Sequence, residues 1–219
     1  MRWLWVMALA GAGAGAWGEG IGEVLLRSQQ LRLDAHTEVA EQDAAAQRIR
    51  ASFDTVVKAA AAVAAGEHEG SALPAVQLRV VSGAPLAETL QGRVIVVDVS
   101  LAAAPESTRL FVLAHEWGHT AMRHWPQMTN LYQSHIPGEV IQSHTDAIAA
   151  LLGYDASALA HRQEMEADAF ALGVLRTLGL PAQAAYDALV QQGFQPDTPT
   201  HPGTKRRLAA LRQVASKAP

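Results

Sequence analysis

The chain contains no cysteine. That excludes disulfides, thiolate metal sites and a cysteine nucleophile, so any metal must be held by His, Asp or Glu. Basic residues are not in excess: 17 Lys and Arg face 21 Asp and Glu, for a net charge of −4. Nucleic acid is therefore not an expected partner. No segment after the N-terminal leader is long and apolar enough to span a bilayer, so no transmembrane span is expected in the mature chain. What is present is globular in character, with 49% hydrophobic and 17% charged residues in 219. This suits one compact domain with an appendage.

Residues 1–16 read as a signal peptide. Met1-Arg2 is a short positive start, Trp3 to Ala10 is apolar, and Ala14-Gly15-Ala16 fits the small-x-small rule for cleavage before Trp17. The expected location is periplasmic or secreted, with an uncleaved N-terminal anchor or an Ala/Gly leader without targeting role as the alternatives. From Ile21 to Ala65 the chain is proline-free and helical in pattern. Ile49, Phe53, Val56, Val57, Ala60 and Val63 fall on one face. Residues 17–70 thus form an N-terminal helical segment expected to pack on a core at 71–219, with a break at Gly66-Glu67-His68-Glu69-Gly70.

Two strand-like runs follow, Val76 to Val81 and Arg93 to Val99. Pro105-Glu106 opens a helix that runs until Trp125-Pro126. Residues 126–138 read as a loop. Glu139 to Leu152 is helical, Gly153-Tyr154-Asp155 breaks it, and Leu159 to Leu178 is a further helix stopped by Gly179-Leu180-Pro181. Helices over Ala182 to Gln192 and Lys205 to Ser216 complete the chain. The fold class is α+β, mostly helical, with a small sheet beside the third of these elements.

That helix carries His115-Glu116-Trp117-Gly118-His119. Histidines four apart project from one helical face and can share one zinc ion, at roughly 2.0–2.1 Å each. Glu116 can reach a water at such a metal instead of the metal itself. A catalytic zinc needs a third protein ligand and one open position. Glu164, in Glu164-Met165-Glu166-Ala167-Asp168, is the candidate, with Glu166 as the alternative. The pattern reads as a zinc hydrolase with one Zn2+ per chain. A charged helix surface matching by chance is disfavoured, because apolar Leu110 to Ala114 lies directly before the motif and buried ionisable groups need partners.

The run from His115 to Arg123-His124 resembles the His-Glu-x-x-His-x-x-x-Arg-His helix of the gluzincin family that contains HtpX, the BepA-type periplasmic peptidases and the CAAX prenyl endopeptidases. Glu164 to Asp168 resembles that family's Glu-x-Glu-Ala-Asp signature, and Thr200-His201-Pro202 with Arg207-Leu208 resembles its Thr-His-Pro segment and trailing Arg-Ile. The resemblance spans about Val94 to Leu211. It implies a zincin-like minimal metallopeptidase domain with zinc on His115, His119 and Glu164, and Glu116 as general base. It also places Asp168 and Arg207 in support of the ligands, Asp168 as hydrogen-bond acceptor for a ligand histidine.

Gly92-Arg93-Val94-Ile95-Val96 loosely matches the family's Gly-x-Ile-x-Val. It would be an edge strand that adds an extended peptide substrate. The family's Asn-Ala-Phe before it appears here as Ala87-Glu88-Thr89. The implied activity is cleavage of protein or peptide substrates, misfolded envelope proteins among them. The competing readings are a zinc-site chaperone that does not cleave, and a zinc hydrolase of another bond. His201, stiffened by Pro199 and Pro202, can donate to an oxyanion, ligate zinc as a latch, or simply cap the last helix. His124, His135, His144 and His161 are expected to be exposed or structural, and His36 and His68 carry no functional expectation.

Overall fold

Val94, Ile95, Val96 and Val97 are each at most 4% exposed, which no strand with one wet face could manage. They form most of β4 (Val94–Asp98), an inner strand of a four-stranded sheet. The structure is a computed structural model that describes residues 19–67, 75–83 and 85–217. The leader at 1–16, its cleavage point and the boundary at 70 to 71 lie outside these residues. The sheet order is β1 (Thr37–Glu38), β2 (Gln77–Ser82), β4, β3 (Ala87–Leu90). β2 runs parallel to β4, in register Gln77 with Val94, and the other two pairings are antiparallel.

The two-residue period of a strand divides this sheet between two clusters. Ile95, Val97 and Val80 face the main core, while Val94, Val96, Val81 and Leu90 pack with Leu33 from the first helix. The main core is helical. α2 (Ala44–Glu67) supplies Ile49, Phe53, Val56 and Ala60; α3 (Glu106–Ala121) supplies Phe111, Leu113 and Trp117. α5 (Gln142–Thr177), α6 (Ala182–Gln191) and α7 (Thr204–Lys217) close it with Leu172, Leu175, Leu189 and Leu211. The mostly helical α+β class expected from sequence is the one observed. No helix among the described residues is long and apolar enough to cross a membrane.

Four expectations are corrected. The stretch from Ile21 to Ala65 is two helices, α1 (Ile21–Asp34) and α2, separated by β1 and by Asp43, whose carboxylate accepts from the amides of Ala45 and Ala46. Residues 126–138 are mostly helix, not loop: α4 spans His124–His135. Pro126 is tolerated because it sits in the first turn, where its missing N–H has no intrahelical acceptor to lose. The preceding helix stops at Ala121 rather than at Trp125-Pro126, at a corner where Arg123 takes φ 56°. Finally, Gly153 does not break α5, since a lone exposed glycine costs a helix only about 1 kcal/mol.

The sheet edge is also reassigned. The strand expected at the edge, around Val94 to Val96, is interior; β3, which the sequence did not announce, is the outer strand beside the helix that carries the histidines. A turn at Gln91 and Gly92, both with positive φ, joins β3 to β4. Gly92 is required there twice over, because a Cβ would lie 2.9 Å from Cβ of Trp125.

Candidate active site

α3 and α5 cross at Gly118. A Cβ on Gly118 would lie 3.2 Å from Cα of Ala167, so the glycine between the two histidines lets the second helix come close. That approach brings Glu164 to His115 and His119. Glu164 oxygens lie 3.4 Å from each Nε2, and the two Nε2 atoms are 3.2 Å apart. One donor atom from each of the three residues falls within 4.8 Å of the others, the span of a metal-ligand set.

Glu164 Oε2 is buried and makes no hydrogen bond. Burial should raise the Glu164 pKa, but the two imidazoles reverse this and hold the carboxyl well below its usual range. An ionised, underused carboxylate facing two imidazole nitrogens is a donor set that suits zinc. Glu166, the alternative third ligand, points elsewhere, toward His124 and Arg162.

His115 is anchored from behind. Its Nδ1 lies 2.9 Å from Asp168 Oδ1, and Arg207 of α7 grips Asp168 with Nε at 2.8 Å and Nη2 at 2.6 Å. All three groups are buried or nearly so. Burial opposes charge on His115, yet the carboxylates of Asp168 and Glu164 outweigh it and push its pKa up to about 10. Asp168 is likewise held below its ordinary value by Arg207 and His115, against the effect of burial. Asp168 and Arg207, both carried by the resemblance, thus meet at His115.

Glu116 stands beside the trio and outside it. Thr89 of β3 places its hydroxyl oxygen 2.7 Å from the Glu116 carboxylate and 2.8 Å from its carbonyl oxygen. Nothing in the sequence singled out Thr89, because its role depends on a strand pairing that the sequence did not reveal. His201 reaches the site from the 193–203 loop. Its Nε2 is 3.6 Å from Glu164 Oε1 while its side chain is 58% exposed. The loop is pinned by His161, whose Nε2 donates to the Thr198 carbonyl at 2.6 Å, and by Asp197, which accepts from the Gly203 amide and pairs with Arg206.

The remaining histidines separate clearly. His124 is 3% exposed and touches His119. Burial, followed by the neighbouring His119 and His115, drives its pKa down to about 3. His135 pairs with Asp155, His36 approaches Glu88, and His144 is exposed. A cavity beside Glu116 is lined by Leu86 and Ala87 of the outer strand region, Val112 of α3 and Gln192 after α6.

The sequence model described as Peptidase family M48 matches residues 50–215, from within α2 into the last turn of α7. No curated protein matches the chain.

Proposed function

The chain belongs to peptidase family M48, and from that premise we propose that it is a zinc-dependent endopeptidase acting on protein substrates. Family membership makes it a metallopeptidase. The observation that carries the finer reading is the set His115, His119 and Glu164, with donor atoms within 4.8 Å and Glu116 adjacent but not among them. A non-cleaving chaperone would need the trio but not Glu116 held by Thr89.

Zinc on these three residues would polarise the scissile carbonyl and lower the pKa of a bound water toward 7. Glu116 then takes the proton of the attacking water and passes it to the departing amine. Thr89 has one proton for two acceptors. It donates to Glu116 while that group is a carboxylate, and turns to the 116 carbonyl when the carboxyl is protonated. Asp168 and Arg207 hold the His115 ring in place. His201 supplies a donor toward the developing oxyanion. β3, with one edge paired to β4, offers its other edge to an extended substrate.

Glu116→Gln tests the core of this reading. The variant should keep about one zinc per chain, as a mononuclear site requires, and lose casein cleavage; loss of the metal would place Glu116 among the ligands. His201→Ala should lower activity on the order of a hundredfold, the usual cost of an oxyanion donor, whereas a rise would make His201 a latch. We further propose that the chain is exported and acts on misfolded proteins of the cell envelope. The support is the leader pattern of residues 1–16, and N-terminal sequencing of the mature protein should begin at Trp17.

A further inference from the structure

His119 and His124 meet nitrogen to nitrogen, Nδ1 to Nδ1, at 2.9 Å. Such a contact requires that one nitrogen carry the proton and the other be bare. His119 turns its Nε2 toward His115 and Glu164, 3.2 and 3.4 Å away. A histidine that gives its Nε2 lone pair to a metal keeps its proton on Nδ1. The Nδ1 of His124 must then be the acceptor, and its own proton lies on Nε2. That nitrogen is buried and lies 3.2 Å from Glu166 Oε2 without forming a hydrogen bond to it.

We propose that His124 is a positioning residue that fixes the tautomer and ring direction of His119 as a metal ligand. The inference rests on the proposed metal centre and assigns a role to a residue outside it. The fold is arranged for the contact. In a continued helix, position 124 would lie roughly 140° around the axis from position 119, at 3.6 residues per turn. The left-handed Arg123 (φ 56°) instead turns the chain back, so that α4 begins with His124 against His119. The rings meet edge-on, with centroids 4.9 Å apart and planes at 78°. Gln163 of α5 donates to the His124 carbonyl at 3.1 Å and fixes the backbone, a bond that any residue at 124 would keep. The side chain is therefore free to be tested separately from the corner it sits in.

If His124 only filled space, Phe would replace it; if its Nδ1 accepts from His119, Asn can substitute, since the Asn oxygen occupies nearly the same place. Zinc affinity of the full-length chain, measured by competition with a chromophoric chelator, is the readout, together with melting of the metal-free proteins. His124→Phe should bind zinc about 10- to 100-fold more weakly, the usual cost of losing a partner behind a ligand histidine. His124→Asn should recover most of that loss, and the metal-free proteins should melt alike. His124→Ala, which removes the ring and adds no bulk, should show a similar loss and serves if His124→Phe does not fold. Wild-type affinity in both His124→Phe and His124→Ala overturns the inference, as does an equal loss in the Phe and Asn variants. A wild-type chain that takes up no zinc overturns the metal centre as well, which separates the two failures.

Discussion

α5 is one helix with two halves of opposite character. From Gln142 to Ala158 only Leu152 is buried, and it belongs to a small cluster with Ile21 and Ile136. From Leu159 to Thr177 the same helix buries Gln163, Glu164, Ala167 and Asp168, then Phe170, Ala171, Leu172, Val174 and Leu175. The site residues thus sit on the half already locked between α3 and α7, one turn above the densest part of the core. A carboxylate that must approach two imidazoles gains its precision from that packing, not from helix propensity. The other half is free to carry surface.

The largest effect should come from Asp168→Ala. It strands Arg207, 13% exposed, without its bidentate partner, and breaking a buried pair costs on the order of 3–5 kcal/mol. Urea unfolding of the metal-free chain reads this directly. A loss below about 1 kcal/mol, the range of an exposed pair, would show that the C-terminal half is not braced by α7. The same residues set a pH signature. Glu164 and Asp168 are depressed below ordinary values of 4.5 and 3.8, so their stabilisation is complete above those values and fades as pH falls. His115, raised from 6.5 to about 10, stabilises fully below 6.5 and loses that contribution as pH climbs to 10. Burial shifts His124 the other way, from 6.5 to about 3, so its contribution is complete above 6.5 and is lost as pH falls toward 3. The metal-free chain should therefore be most stable near pH 6.5. The zinc-loaded chain should instead gain stability over pH 6.5 to 9, because ligation needs His115 without its Nε2 proton. Parallel curves with and without zinc would remove His115 from the ligand set.

The next effect compares the cores that the two halves touch. Leu175 is fully buried in the main cluster, and Leu152 is 7% exposed in the small one. Of the 2–5 kcal/mol span for buried Leu→Ala changes, Leu175→Ala should fall near the top and Leu152→Ala near the bottom. Equal losses would mean that the small cluster is as tightly packed as the main one.

How much of this could be read in the sequence divides along the same line. α6, α7 and the C-terminal half of α5 carry apolar periodicity and clear stops, and their ends and the start of α3 fall within a few residues of expectation. The pairing of His115 with His119 follows from helical spacing, the choice of Glu164 drew on its spacing to Asp168 and on the family resemblance, and the structure brings those three together. The failures are events without a residue signal. Arg123 adopts a left-handed turn that a glycine would have advertised, so α4 and the His124 contact were hidden. β3 is four residues, Ala-Glu-Thr-Leu, too short and mixed to show a period. Which strand lies at the edge depends on pairing order, a nonlocal property, so Thr89 beside Glu116 could not be found without it.

The smallest effect tests the point where the halves join. Gly153 was expected to end a helix, yet α5 runs through it with Leu152 buried on one side and Tyr154 75% exposed on the other. A Cβ at 153 would meet nothing within 4 Å, and its φ lies outside the left-handed range. Replacing glycine by alanine at such a site removes unfolded-state freedom without any clash. Gly153→Ala should therefore stabilise the chain by about 0.5–1 kcal/mol, with zinc binding unchanged. Destabilisation instead would mean that the chain bends at Gly153 in solution. The N-terminal half would then be a separate helix hinged on the half that holds the site.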